Sequence, residues 1–299
     1  MHAVMLRHEA LPTHPPTPTL PLPITVRAQE IPYPLPDNEE EDRRRLDAGH
    51  YALQAYLGGN YIAPLHKLRP GAILDLGTGS GIWALEMAAE FPDAKVLGVD
   101  MLPVVARHAP PNCAFEVVNL AQEWPFPPQA FDVIHSRFCL VHLPNAREIL
   151  VSALASLRPG GLLLLEEGTN ALFSRSPDEI PAGIKRFYEL YSGIMRARGV
   201  DGEVGPKMLD WIRESGACEE VHERILEPPM QPFTKDDSLN CLGEVLKQFL
   251  IKGYASMIPR LEGEGVTRDI VDGFVEGVSD PTKKVRGRLN WVWARKKVD

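Results

Sequence analysis

The chain has 299 residues, 44% apolar and 24% charged, with a formal net charge of −8. That length buries a full core, and the composition is that of a globular protein rather than a disordered or fibrous one. The acidic balance disfavours nucleic acid and anionic membrane surfaces as partners, and no apolar run reaches the roughly 18 residues of a membrane span.

The cysteines Cys113, Cys139, Cys218 and Cys241 form no C-x-x-C pair, so neither a disulfide framework nor a metal site is expected. The N-terminus lacks a basic-then-apolar signal sequence. A cytoplasmic or nuclear location is expected, with no choice between them.

Residues 1–36 are rich in proline and read as an extended or disordered arm. The arm offers P-x-x-P segments (Pro12 to Pro15, Pro15 to Pro18) to a protein partner, although a bland tail is the commoner reading. Residues 37–69 read as a helical N-terminal lid. Asp37 is placed as N-cap with Glu40 three positions on, and Leu46, His50, Leu53 and Leu57 recur at helical spacing. A second short helix is expected over Tyr61 to Lys67, and Pro70-Gly71 marks a boundary.

From residue 72 strands and helices alternate. Strands are expected at 72–76, 95–99, 114–118, 131–136 and 162–166, with helices at 80–91 and 145–157, the latter capped by Asn145. This order implies a doubly wound, mostly parallel sheet covered on both faces. Beyond it, helices are expected at 178–198, 206–216, 234–258 and 266–278, and strands at 218–226 and 288–295. Residues 70–299 thus read as one domain with helical insertions at about 170–205 and 230–285.

Chemistry concentrates at strand ends. Asp75 and Leu76 end the first strand, and Gly77, Thr78, Gly79, Ser80 and Gly81 follow it and open a helix, where glycine lets backbone approach a ligand and helix N–H groups face outward. A dinucleotide fingerprint has G-x-G-x-x-G. Here the third glycine comes one residue early, and Asp75 would repel pyrophosphate. A carboxylate there suits an ammonium, and S-adenosylmethionine (SAM) has that ammonium and no phosphate.

Asp100 ends the second strand about 20 residues after the loop, where a ribose diol would lie. A solvated helix cap is the competing reading. Met101 beside it suits the adenine face. Asn119, before Leu120, is expected to accept the adenine exocyclic N–H through its amide oxygen. The fourth strand delivers His135, Ser136 and Arg137 to the rim, with His142 on the next loop as a candidate general base or substrate contact. Each histidine reads equally well as an ordinary packed residue.

Asp75 to Gly81, Gly98-Val99-Asp100, Phe131-Asp132 and Arg158 to Gly161 resemble the class I SAM-dependent methyltransferases in order and spacing. Arg45 to His50, Leu57 to Gly59, Gly77 to Trp83, Pro110 to Asn112 and Ile134 to Arg137 are similar to the fungal LaeA-like methyltransferases. Asn119-Leu120 departs from the acidic residue usual in the wider family, and Gly49 from the glutamine frequent in the narrower one.

The resemblance implies a seven-stranded Rossmann-like sheet, SAM as cofactor and methyl transfer to a small molecule, within a family that serves specialised metabolism. Its cofactor residues would be Asp75, Leu76, Gly77, Thr78, Gly79, Gly81, Asp100, Met101, Asn119, Leu120, Ser136 and Tyr51. His135, Arg137 and His142 would stand near the reaction. His50 and Tyr51, with Tyr188, Tyr191 and the helices of 234–278, hold lid-like positions, although such aromatics are more often packing. Two other readings stay open: a LaeA-like regulator of secondary metabolism acting through protein partners, and a SAM-binding protein with non-methyl chemistry.

Overall fold

The computed structural model describes residues 39–104 and 108–298. The proline-rich arm, its P-x-x-P segments and the Asp37 cap lie outside the described residues. Seven strands form one sheet: β1 (Ala72–Leu76), β2 (Lys95–Asp100), β3 (Cys113–Val117), β4 (Phe131–Arg137), β5 (Leu157–Gly168), β6 (Cys218–Leu226) and β7 (Leu289–Lys296). Their spatial order is β3-β2-β1-β4-β5-β7-β6. The ladders through β3, β2, β1, β4 and β5 are parallel, and β7 runs antiparallel between β5 and β6. This is the expected doubly wound sheet.

The middle strands are buried on both faces, so they read as apolar runs. Ile73, Leu74, Val133, Ile134, Leu162 and Leu163 are almost wholly shielded. Edge strand β6 is different. It carries Glu219, Glu220, Glu223 and Arg224 on its exposed surface, charges that discourage pairing with another chain.

The helices are α1 (Glu39–Leu57), α2 (Ile82–Glu90), α3 (Ala146–Ser156), α4 (Ala182–Ala197), α5 (Val204–Ser215), α6 (Asp237–Leu261) and α7 (Arg268–Ser279). Helix α2 covers one face of the sheet, burying Trp83, Ala84, Met87 and Ala88. Helices α3 and α5 cover the other. Helices α4, α6 and α7 form a separate apolar layer around Phe187, Tyr191, Tyr254 and Phe274. Helix α1 packs on α6, tying the N-terminal segment to this cap. At the α4–α7 crossing a Cβ on Gly183 would lie 2.0 Å from the Gly273 carbonyl oxygen.

Four local expectations change. Tyr61 to Lys67 holds only a 3₁₀ turn at Leu65–Lys67, because Pro64 interrupts a helix there. Helix α2 starts at Ile82 rather than Ser80, since Gly81 adopts a left-handed φ of 80°. Asn145 stands at the start of α3, but its amide reaches the Leu120 carbonyl (3.4 Å) instead of capping. Strand β5 begins at Leu157 rather than Leu162, so Arg158 to Gly161 lies within it. Arg158 pairs there with Asp132 (2.7 Å), and the same Asp132 oxygen accepts the Gly71 (2.8 Å) and Ala72 (2.9 Å) N–H groups. Asp132 therefore anchors the entry to β1.

Candidate active site

Strand β1 pairs with β2 on one side and β4 on the other, while the chain reaches β4 only after leaving through β2 and β3. This reversal opens a crevice at the carboxyl ends of the strands. A cavity of about 430 Å³ lies there, within the size range of small-molecule sites. Its walls come from the β1–α2 loop, the ends of β2 and β4, residues 118–120 and the inner face of α1.

The loop's shape follows from close contacts. Gly77 has φ 65°, and a Cβ on it would sit 2.4 Å from the Cys139 sulfur. Only glycine permits both the left-handed backbone and that approach. The Thr78 N–H donates to the Val99 carbonyl (2.9 Å). The Gly79 N–H donates to Asp100 Oδ2 (2.9 Å), and the Leu102 N–H to Asp100 Oδ1 (3.1 Å). The Asp100 carboxylate is thus clamped by backbone at the cavity wall, each oxygen retaining acceptor capacity. Burial raises its pKa above the ordinary carboxylate value.

Asp75 is deeper. Thr78 Oγ1 donates to Oδ2 (2.5 Å), and His135 Nδ1 donates to Oδ1 (2.7 Å). The His135 ring stacks on Trp83 with centroids 3.7 Å apart. Both side chains of the Asp75–His135 pair are nearly fully buried, so the tether fixes the imidazole face and aims its chemistry through Nε2. That nitrogen is buried and has no hydrogen-bond partner among the described residues.

Asn119 corrects an expectation. Its Oδ1 accepts the Ala121 N–H (3.0 Å), an Asx turn that fixes the rotamer. The orphaned buried atom is Nδ2. Asn119 therefore presents a donor to the cavity, suited to a ring nitrogen of adenine rather than to its exocyclic amine.

Arg137 lies at the rim, 2.8 Å from His50 Nδ1 and 3.8 Å from Glu166. Because Nδ1 accepts from arginine, His50 carries its proton on Nε2, which faces Glu86 Oε2 (3.1 Å). Burial, and then the Arg137 charge, lower the His50 pKa. Gln54 also donates to Glu86 (2.5 Å), so α1 is fastened to α2 and β4 by one polar chain.

Of the expected cofactor residues, Asp75, Gly77, Thr78, Gly79, Asp100, Met101, Asn119 and Leu120 line this cavity, with His135, Arg137 and His142. Leu76, Gly81, Ser136 and Tyr51 are not among its lining residues. Leu76 and Ser136 are buried within the sheet as register partners. Gly81 starts α2, packed on Phe115. Tyr51 is 50% exposed, one helical step away from the inward stripe of Arg45, Leu46, Gly49, His50 and Leu53. No cluster suited to a metal ion occurs among the described residues.

The sequence reading missed Glu167. It is fully buried at the end of β5 and accepts the Cys139 (3.0 Å), Leu140 (2.8 Å) and Val141 (3.4 Å) N–H groups. Burial pushes its pKa up to about 8. The signal was available, since a carboxylate ends β5 just as one ends β2. Beside this loop, burial and the Arg45 charge push His142 down to about 4.

A crevice at the strands' carboxyl ends, with a clamped carboxylate at the second strand and a 3-2-1-4-5-7-6 sheet, defines a class I SAM-dependent methyltransferase fold. The comparisons agree. The methyltransferase domain family matches residues 49–193. Methyltransferase str2 of Strobilurus tenacellus is 34% identical over 267 residues, covering 89% of this chain and 94% of the relative. Methyltransferase pytC of Aspergillus terreus is 30% identical, covering 74% of this chain and 68% of the relative. The secondary metabolism regulator laeA of Coprinopsis cinerea is 29% identical, covering 68% and 54%. The chain belongs to this methyltransferase family, and its methyl donor is SAM.

Proposed function

We propose that the protein transfers the SAM methyl group to a small-molecule acceptor of specialised metabolism, an EC 2.1.1.- reaction. Bound SAM supplies an electrophilic methyl group. The chain's own residues hold and align it. Asp100 takes the ribose hydroxyls, Asn119 Nδ2 donates to an adenine ring nitrogen, and Met101 packs beside the base. Asp75 places negative charge near the amino-acid ammonium, and Arg137 places positive charge for its carboxylate. Such alignment is the main contribution a protein makes to an in-line displacement.

His142 is neutral at pH 7, given its depressed pKa of about 4. An imidazole with so little affinity for protons is a weak general base, so its role is to orient the acceptor as a hydrogen-bonding partner. His135, locked by Asp75 and Trp83, positions the cofactor end of the crevice rather than moving a proton.

The observation that carries this reading is the grouping of an orphaned donor, Asn119 Nδ2, and an unpartnered ring nitrogen, His135 Nε2, with the clamped Asp100 carboxylate around one cavity. The test is incubation of the full chain with methyl-labelled SAM and a fungal extract. Label in small extractable products is expected. Label in protein alone would favour a regulator acting on partners, and SAM binding without transfer would favour non-methyl chemistry.

A further inference from the structure

A second cavity, of about 120 Å³, lies between the sheet and the α4–α6 cap. It touches the first through four shared residues: Arg45, Phe138, His142 and Phe249. These four side chains form the boundary at which the two cavities meet. The Phe138 and Phe249 ring centroids are 6.1 Å apart, and the Arg45 guanidinium lies 4.1 Å over Phe249. Phe138 is held at φ 52°, an uncommon conformation for a bulky residue, while its N–H donates to the Glu166 carbonyl (2.9 Å).

The lining is selective. Leu172, Met230, Tyr188, Tyr191, Tyr254 and Met257 make it apolar and aromatic. No aspartate or glutamate lines it among the described residues. Asn170 and Arg288 do, and Asn170 Nδ2 and Arg288 Nε are buried with no hydrogen-bond partner among the described residues. Each has a hydrogen still to donate. The guanidiniums are already neutralised, Arg288 by Glu227 (2.9 Å) and Arg45 by Asp42 (2.5 Å). An anion is therefore not required, and an ammonium would find no carboxylate among the described lining residues to pair with it. A cavity of about 120 Å³ is somewhat smaller than the roughly 150 Å³ that holds one benzene, so it admits a single ring at most.

We propose that this second cavity is the acceptor site, and that it selects an uncharged single-ring group carrying a carbonyl-type oxygen, held by Asn170 and Arg288, over amines. The inference rests on the methyltransferase reading above, because the shared wall is where the acceptor would face the methyl group.

The test uses the full chain with and without saturating S-adenosylhomocysteine, and two probes of like ring size, methyl benzoate and benzylamine. Binding is read by saturation-transfer NMR and competition. Methyl benzoate is expected to bind and benzylamine to bind at least tenfold more weakly. Leu250→Trp, which fills the cavity from a partly buried position, should abolish ester binding. Asn170→Leu should weaken it about tenfold. Both variants should hold S-adenosylhomocysteine within twofold of the parent, showing that they fold. Equal or tighter binding of benzylamine, or ester binding unchanged in both variants, would overturn the proposal. Failure of S-adenosylhomocysteine to bind the parent would instead strike the cofactor assignment, and the ester titration without it still decides the acceptor site.

Discussion

The cofactor crevice and the helical cap are built on different principles. The crevice is made of short loops at strand ends, where backbone N–H groups, two carboxylates and glycines without side chains meet within a few residues of one another. Its partners are fixed by the parallel register of β1, β2 and β4. The cap is made of long helices whose residues meet only through tertiary packing, as Phe187 of α4 meets Tyr254 of α6 and Phe274 of α7. The first region is specified locally and tolerates almost no change in shape. The second is specified by apolar volume, which more than one set of side chains can fill.

Two glycines separate the regions most sharply. Gly77→Val forces a branched side chain into a left-handed position 2.4 Å from the Cys139 sulfur. It should lower SAM affinity more than 100-fold by calorimetry and destabilise the chain by about 3 kcal/mol. Gly183→Val instead drives α4 off α7, where the Cβ position is 2.0 Å from a carbonyl oxygen. It should lower Tm by several degrees, while protein that remains folded binds S-adenosylhomocysteine within about threefold of the parent. Equal loss of cofactor affinity in both variants would erase the distinction.

A smaller effect is expected at the seam. Glu167 is held with a pKa of about 8, well above the roughly 4.5 of an unfolded chain. The native state then binds the extra proton between these values, so this residue's contribution is present below about pH 4.5 and is lost as pH rises towards 8. Glu167→Gln keeps the Oε1 acceptor for the Cys139 and Leu140 N–H groups, gives up the long contact to the Val141 N–H, and removes the titration. Denaturant unfolding across pH 5 to 8 should show a flatter stability profile in the variant, and an unchanged slope would contradict the buried-acid assignment. The smallest effect is expected at Tyr51, which is half exposed and outside the cavity lining. Tyr51→Ala should leave cofactor affinity and methyl transfer within twofold.

The contrast also explains what could be read from the residues alone. The strand-helix alternation, the loop from Asp75 to Gly81 and Asp100 were legible because each depends on neighbours a few positions away. Asn119 was legible as a residue of the strand-end crevice but not in its polarity, since the Ala121 N–H claims its oxygen and leaves the amide nitrogen without a partner. Tyr51 was misplaced because one residue along a helix is about 100° of rotation, and the inward stripe runs through Gly49 and His50. Phe249 was not singled out, and Arg45 entered only as the first residue of the Arg45 to His50 run. Their contact joins α6 to α1 across some 200 residues, and no local pattern announces it.

The cofactor assignment stands most directly on Asp100. Calorimetric titration of S-adenosylhomocysteine into the full chain should give one site per chain. Asp100→Ala, which removes hydrogen bonds to a charged group worth about 1.5–3 kcal/mol each, should weaken that binding at least tenfold, with the fold checked by thermal melting. An intact variant that binds within twofold of the parent would contradict the account.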